Sequence, residues 1–303
     1  MYERESKRTG EDWKNIGRKN ELEIEVVGKI RNFIDDPRLK FHFSTINRMG
    51  SILDRGVLSY EFAKRATIEI RENMSVRGGG VATEDRSVSI VDREKNASNE
   101  ESDDWWIRQF SRGDTNVGFL LPDDIKLRDT TPQTNESLVP IRIRRERFEG
   151  IFVTERKELY ETLESRRNRS KEKYPDALAQ GHNYGVILLS QFFDYTAERL
   201  KSLDGVIAEL DRKISDAYSK NNLWLKDRKT WPTEILDEVT MLEREEADRM
   251  EVIARTELEK IVGKPAGEIT EKDLFVYFAQ KNKLPLYFVS KDFKSQRVIW
   301  PEV

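Results

Sequence analysis

The chain has 303 residues, 36% charged and 37% hydrophobic, and its 53 basic and 56 acidic side chains leave a net charge of -3. That length accommodates two ordinary domains with a core each, and the near balance of charge gives no overall pull toward nucleic acid or an anionic membrane, so polyanion binding would need a local patch. No apolar run approaches the ~20 residues of a membrane span, the N-terminal residues lack the apolar core of a signal peptide, and the absence of cysteine excludes disulfides and thiolate sites; the expectation is a soluble cytoplasmic protein.

Residues 11–35 predict an amphipathic helix, since Trp13, Ile16, Ile24, Val27, Ile30 and Ile34 recur at near-helical spacing. A strand follows at Lys40 to Ser44, where alternation sends Phe41 and Phe43 to one face and His42 and Ser44 to the other, away from the core. Thr45 or Asn47 caps a short helix whose apolar residues are Ile46, Met49, Ile52 and Leu53, and Gly56 stands where a left-handed C-terminal residue is wanted. Tyr60 to Arg71 reads as helix, Ser87 to Val91 as a half-buried strand, and residues 92–104 as a polar, acidic loop. Asn116 to Leu121, Leu138 to Ile143 and Gly150 to Val153 supply further strands, so the first half is α+β.

The second half changes period. Phe193, Thr196, Leu200, Leu203, Ile207, Leu210, Ile214 and Ala217 form one helical seam, and a second helix runs from about Thr233 to Val262. A short link rich in turn signals predicts that the two fold back as a hairpin, or pair with another copy. The tail has a capping signal at Thr270 and Asp273, then two apolar runs, Leu284 to Val289 and Arg297 to Trp300, that suit a small hairpin. The expected division is 1–155, 156–265 and 266–303.

The run from Lys40 to Ser59 resembles the opening motif of ADP-ribosyltransferase-fold proteins, in particular the DarT-type enzymes that modify DNA: a histidine on the first strand, then Ser/Thr, a helix ending in Gly, and a Leu-Ser pair. Glu136-Ser137-Leu138-Val139-Pro140, continuing to Gly150-Ile151-Phe152-Val153, is similar to the end of such domains, where a catalytic Glu begins a strand. Together the likeness covers residues 38–154. It implies a split mixed sheet with a cleft between His42 and Glu136, and an activity that breaks the nicotinamide–ribose bond of NAD and passes ADP-ribose to a macromolecule. DNA is the suggested acceptor, with RNA and protein open, and an intracellular toxin is the family's habitual setting. Glu136 would stabilise the oxocarbenium-like transition state. His42 would hold ribose hydroxyls or the nicotinamide amide, beside Ser44, Thr45 and Asn47 at the same turn. Ser59, Tyr60, Arg65, Ser87 and Ser89 complete the dinucleotide contacts that the resemblance implies.

Other readings compete. A strand histidine is often structural, and a glutamate in the polar loop before Ser137 would be ordinary. Arg142, Arg144, Arg145 and Arg147 either position a phosphate backbone or form a solvated face balanced by Glu146 and Glu149. The whole could be a non-catalytic interaction protein that oligomerises through its helical seam, or an NAD-derived phosphotransferase. Dinucleotide-fingerprint, phosphate-loop and Gly-x-Ser-x-Gly signatures are absent, and two distant histidines make a zinc site a poor fit.

Overall fold

The computed structural model describes residues 23–59, 87–96, 116–127, 137–140, 142–173 and 197–302, together with Leu189 and Phe193. The chain divides into two compact units. One comprises Met1–Ile46, Ile52–Glu155 and Phe275–Val303; the other comprises Asn47–Ser51 and Arg156–Leu274.

The first unit is built on a mixed sheet. Its strands are β1 (Lys40–Thr45), β3 (Ser87–Asp92), β4 (Asn116–Leu121), β5 (Ser137–Pro140), β7 (Gly150–Thr154), β8 (Leu286–Val289) and β9 (Gln296–Trp300), in the order β5-β3-β1-β4-β7-β8-β9. A separate two-stranded ladder joins β2 (Val57–Leu58) to β6 (Arg142–Ile143). Every neighbour in the large sheet is antiparallel except β7 and β8, where Ile151 registers with Leu286 and Val153 with Phe288. The architecture is therefore α+β with a mixed sheet.

One face of the sheet carries an aromatic core. Phe41, Leu120, Phe152, Tyr287, Val289 and Val91 are all buried there, and Phe33, Ile34, Leu39 and Phe293 close over them. Gly118 registers with Phe152, and a Cβ at Gly118 would fall 2.1 Å from the tip of that ring. Position 118 thus holds the space the ring occupies. The opposite face is covered as well: Phe119, Val117, Ile151 and Leu286 have no exposed surface. His42 and Ser44 share the parity of this second face, so they do not face away from packed residues as alternation alone, which sent them away from the core, suggested.

The N-terminal helix ends earlier than its periodicity implied; residues 11–22 of the expected span lie outside the described residues. Among those described, helix covers 23–27, and the chain then turns, Phe33 and Ile34 being buried in irregular backbone. Gly28, Asp35, Asp36 and Pro37 break the helix before its apolar positions are used up. The C-terminal residues also depart from expectation. Phe275–Val303 is no separate tail, because β8 lies against β7 and β9 against β8, which adds the hairpin to the first unit's sheet.

The second unit is helical. The expected seam breaks at Asp204 into Ala197–Leu203 and Gly205–Lys220, since the Asp204 carboxylate accepts the Val206 amide at 2.8 Å and caps a new helix. Thr233–Val262 runs as one helix of 30 residues, ended by Gly263 at φ 73°. The hairpin is antiparallel. Tyr218 meets Trp231 with ring centres 5.2 Å apart at the linked end, while Arg249 bonds Asp204 at 2.7 Å near the other. Leu200, Ile207 and Leu210 are buried, so much of the seam is satisfied inside the chain. Among the described residues no helix is long and apolar enough to cross a membrane.

Glu271, 5% exposed, ties together the two ends of this unit. It accepts from Arg156 at 2.7 Å and also from Arg166. Thr270 and Asp273 form the expected reciprocal cap beside it, with Thr270 N–H donating to Asp273 at 2.9 Å and Asp273 N–H to Thr270 at 3.2 Å. Removing the carboxylate takes a buried ionic partner from two largely buried guanidinium groups, so Glu271→Ala should cost about 3–5 kcal/mol in urea unfolding. Gly118→Ala, which drives a methyl into the Phe152 ring, should cost about 1–3 kcal/mol by the same measurement.

Candidate functional site

The strand, turn and short helix around His42 form as the sequence predicts. After β1 comes a 3-10 turn at Ile46–Arg48 and a helix at Met49–Arg55, whose apolar residues Ile46, Met49, Ile52 and Leu53 are all buried. Gly56 follows at φ 83°, a conformation that L side chains rarely adopt. His42 and Ser44 are half-buried, whereas Ser59, just past β2, is almost fully buried. Thr45 and Asn47 stand at the turn by backbone position.

The two sides of β1 are bonded unequally. Against β4 it registers along its whole length, from Lys40–Leu121 through His42–Phe119 to Thr45–Asn116. Against β3 the registered pairs are Lys40–Asp92 and Phe41–Val91, and the next residue is His42. β3 then pairs with β5, Ile90 opposite Ser137 and Ser87 opposite Pro140. Counting one residue on from Phe41–Val91 sets His42 level with Ile90, and hence with Ser137. One strand intervenes, a span of about 10 Å from two strand spacings.

Register separates some of the nominated residues. Position 91 partners Phe41, so positions 87 and 89 share the pleat parity of Phe41 rather than that of His42. Ser87 and Ser89 are thus not brought to the His42 face by backbone position. Tyr60, Arg65 and Glu136 lie outside the described residues.

The His42 parity gathers polar groups that sequence reasoning passed over. Asp92, at 5% exposure, registers with Lys40, at 6%, two positions from His42. Ser137, the residue after Glu136, is 2% exposed and donates its hydroxyl to Asp92 Oδ2 at 3.4 Å. Asp92 Oδ1 has no hydrogen-bond partner among the described residues. Lys40 Nζ donates to the Asp123 carbonyl at 3.4 Å. The available signal was the run Ser-Val-Ser-Ile-Val-Asp, in which the final aspartate extends a strand instead of opening a loop.

Chemically, this face offers an imidazole, short hydroxyls and a buried carboxylate, a set suited to binding and orienting hydroxyl or amide groups. The chain matches no protein-family model, no curated protein and no solved structure. Ser137→Ala removes the hydroxyl that partners Asp92 and leaves a buried carboxylate bare on both oxygens. Denaturant unfolding should record a loss of about 1–3 kcal/mol.

Proposed function

We propose that the chain is an NAD-dependent ADP-ribosyltransferase with an ADP-ribosyltransferase-like split sheet, acting on a macromolecule, with DNA the favoured acceptor. One observation carries the reading beyond the sequence likeness. In the strand order β5-β3-β1, the registered β1–β3 pairs end next to His42, and a single strand stands between His42 and the strand that follows Glu136. A split at this point is what a cleft for an extended dinucleotide needs.

In the proposed reaction the bond from ribose C1′ to nicotinamide breaks, and the electron pair leaves with nicotinamide. The acceptor's nucleophilic atom then forms its bond to C1′ and loses a proton. Glu136 stabilises the cationic ribose and orients its hydroxyls. His42 hydrogen-bonds the ribose or the carboxamide, with Ser44 and Ser59 as further polar contacts. Thr45, Asn47, Tyr60, Arg65, Ser87 and Ser89 keep the roles the family resemblance implies, the two strand serines with less support because of their parity.

The non-catalytic alternative drew on an unpartnered helical seam. The antiparallel hairpin buries much of that seam within one chain, which removes its main support.

NAD titration by calorimetry and thermal shift, together with transfer of labelled ADP-ribose to single-stranded DNA, tests the reading. Wild-type protein should bind NAD and label the acceptor, and Glu136→Ala should lower transfer about 100-fold or more with the unfolding midpoint unchanged. An absence of both heat and thermal shift would sink the proposal.

A further inference from the structure

The ladder between β2 and β6 builds a second feature within the first unit. Val57 registers with Ile143 and Leu58 with Arg142. The approach is close at its start, because a Cβ on Gly56 would lie 2.2 Å from the Ile143 carbonyl oxygen. Only glycine, in its left-handed conformation, lets the helix Met49–Arg55 end directly against β6. The C-terminal end of that helix is thereby held beside the run that leaves β6.

Between them lies a groove of about 530 Å³ into which Arg55, Arg142, Arg144, Arg145 and Arg147 all project. Among the described residues its remaining lining is Asp54 and Glu146, so there three positive charges are in excess. Of the carboxylates nearby, Asp124 pairs with Arg147, which offsets one of these charges; the others do not offset the rest. Glu149, which the sequence offered as a balancing charge, is bonded to Arg31 at 3.3 Å instead. Asp54 reaches Lys281 at 3.5 Å, and Glu146 is taken by Arg145 at 3.0 Å. Its own backbone amide first, then Arg145, hold the Glu146 carboxyl below the usual range, so it stays ionised and spent on that pair. Arg55 and Arg144 form no ion pair among the described residues.

The chemistry of the lining selects the ligand. Guanidinium forks match phosphate oxygens bidentately, and the volume falls in the range of small-molecule sites. Every described lining residue is charged, and none of them offers an aromatic face on which a base could stack, as strand-binding surfaces provide. The arginines also converge on one hollow from two chain segments instead of marking out a track. A compact, highly charged anion fits this better than a polynucleotide.

We propose that the groove binds a terminal phosphate chain, free or as the tail of a nucleotide. None of its lining residues belongs to the NAD contacts, so the site stands or falls independently of the transferase reading.

Calorimetric titration of the full chain with inorganic tripolyphosphate, a nucleoside triphosphate, NAD and a single-stranded oligonucleotide tests it. Tripolyphosphate and the nucleoside triphosphate should bind one per chain with similar affinity, weakening as salt is raised. Equal affinities would assign recognition to the phosphates, whereas a preference for the nucleotide would mark it as the physiological source. Arg55→Gln and Arg144→Gln should each cost about tenfold in affinity, with circular dichroism and the unfolding midpoint unchanged, since both side chains are exposed. NAD binding should be unaffected by either variant. The proposal is overturned if neither phosphate compound binds, if the variants bind as wild type does, or if the oligonucleotide binds more tightly than tripolyphosphate.

Discussion

The first unit is organised around the Phe152 ring lying over Gly118. Ring centres of Phe33, Phe41 and Phe293 stand 5.3, 5.1 and 5.6 Å from it, and they arrive from the segment before β1, from β1 itself and from the turn between β8 and β9. Each buried aromatic contributes about 1.5–3 kcal/mol by area, with about 0.5–1.5 more for each well-set pair. One side chain therefore binds together parts of the chain that are far apart in sequence. Tyr287 extends the contact, edge-on to Phe33 at 5.0 Å, and its hydroxyl accepts the Arg31 amide at 3.1 Å. The N-terminal segment is thus fixed by residues that are made last.

Parallel neighbours need a long crossover, and the chain between β7 and β8 includes the helical unit. Within that unit Glu271 holds Arg156, at its beginning, beside the residues that close it. A buried ion cluster is a poor source of net stability compared with apolar packing, but loss of one partner leaves buried charge uncompensated, so it holds the segments it joins to one arrangement.

The sequence disclosed local order well and long-range pairing poorly. β4, the core of β7, the helix Thr233–Val262 and the Thr270–Asp273 cap follow from periodicity and capping rules that act within a few residues. The union of β7 with β8 leaves no such trace, because Ile151 and Leu286 carry no local mark of each other; the C-terminal hairpin therefore looked independent. The break at Asp204 was hidden by a seam of apolar residues that continues through it in three-four steps, although Asp-Gly is itself a cap and a break. At the site, the strand, turn and helix about His42 were legible, and the register of β3 was not. One residue of register decides whether Ser89 or Ile90 shares the histidine's face.

That same register gives the first unit its chemical polarity. On one parity β1, β3 and β7 present Phe41, Val91 and Phe152 to the aromatic core; on the other, β1, β3 and β5 carry Lys40, His42, Ser44, Asp92 and Ser137. Three of those five are less than a tenth exposed. Burying an amine, a carboxylate and a hydroxyl costs more than burying the aliphatic residues that would fit the same pleat, the more so with Asp92 Oδ1 unbonded. These polar groups are held at a cost on the face that also bears the histidine, beside the end of the registered β1–β3 pairs, whereas the opposite parity is given over to aromatic packing.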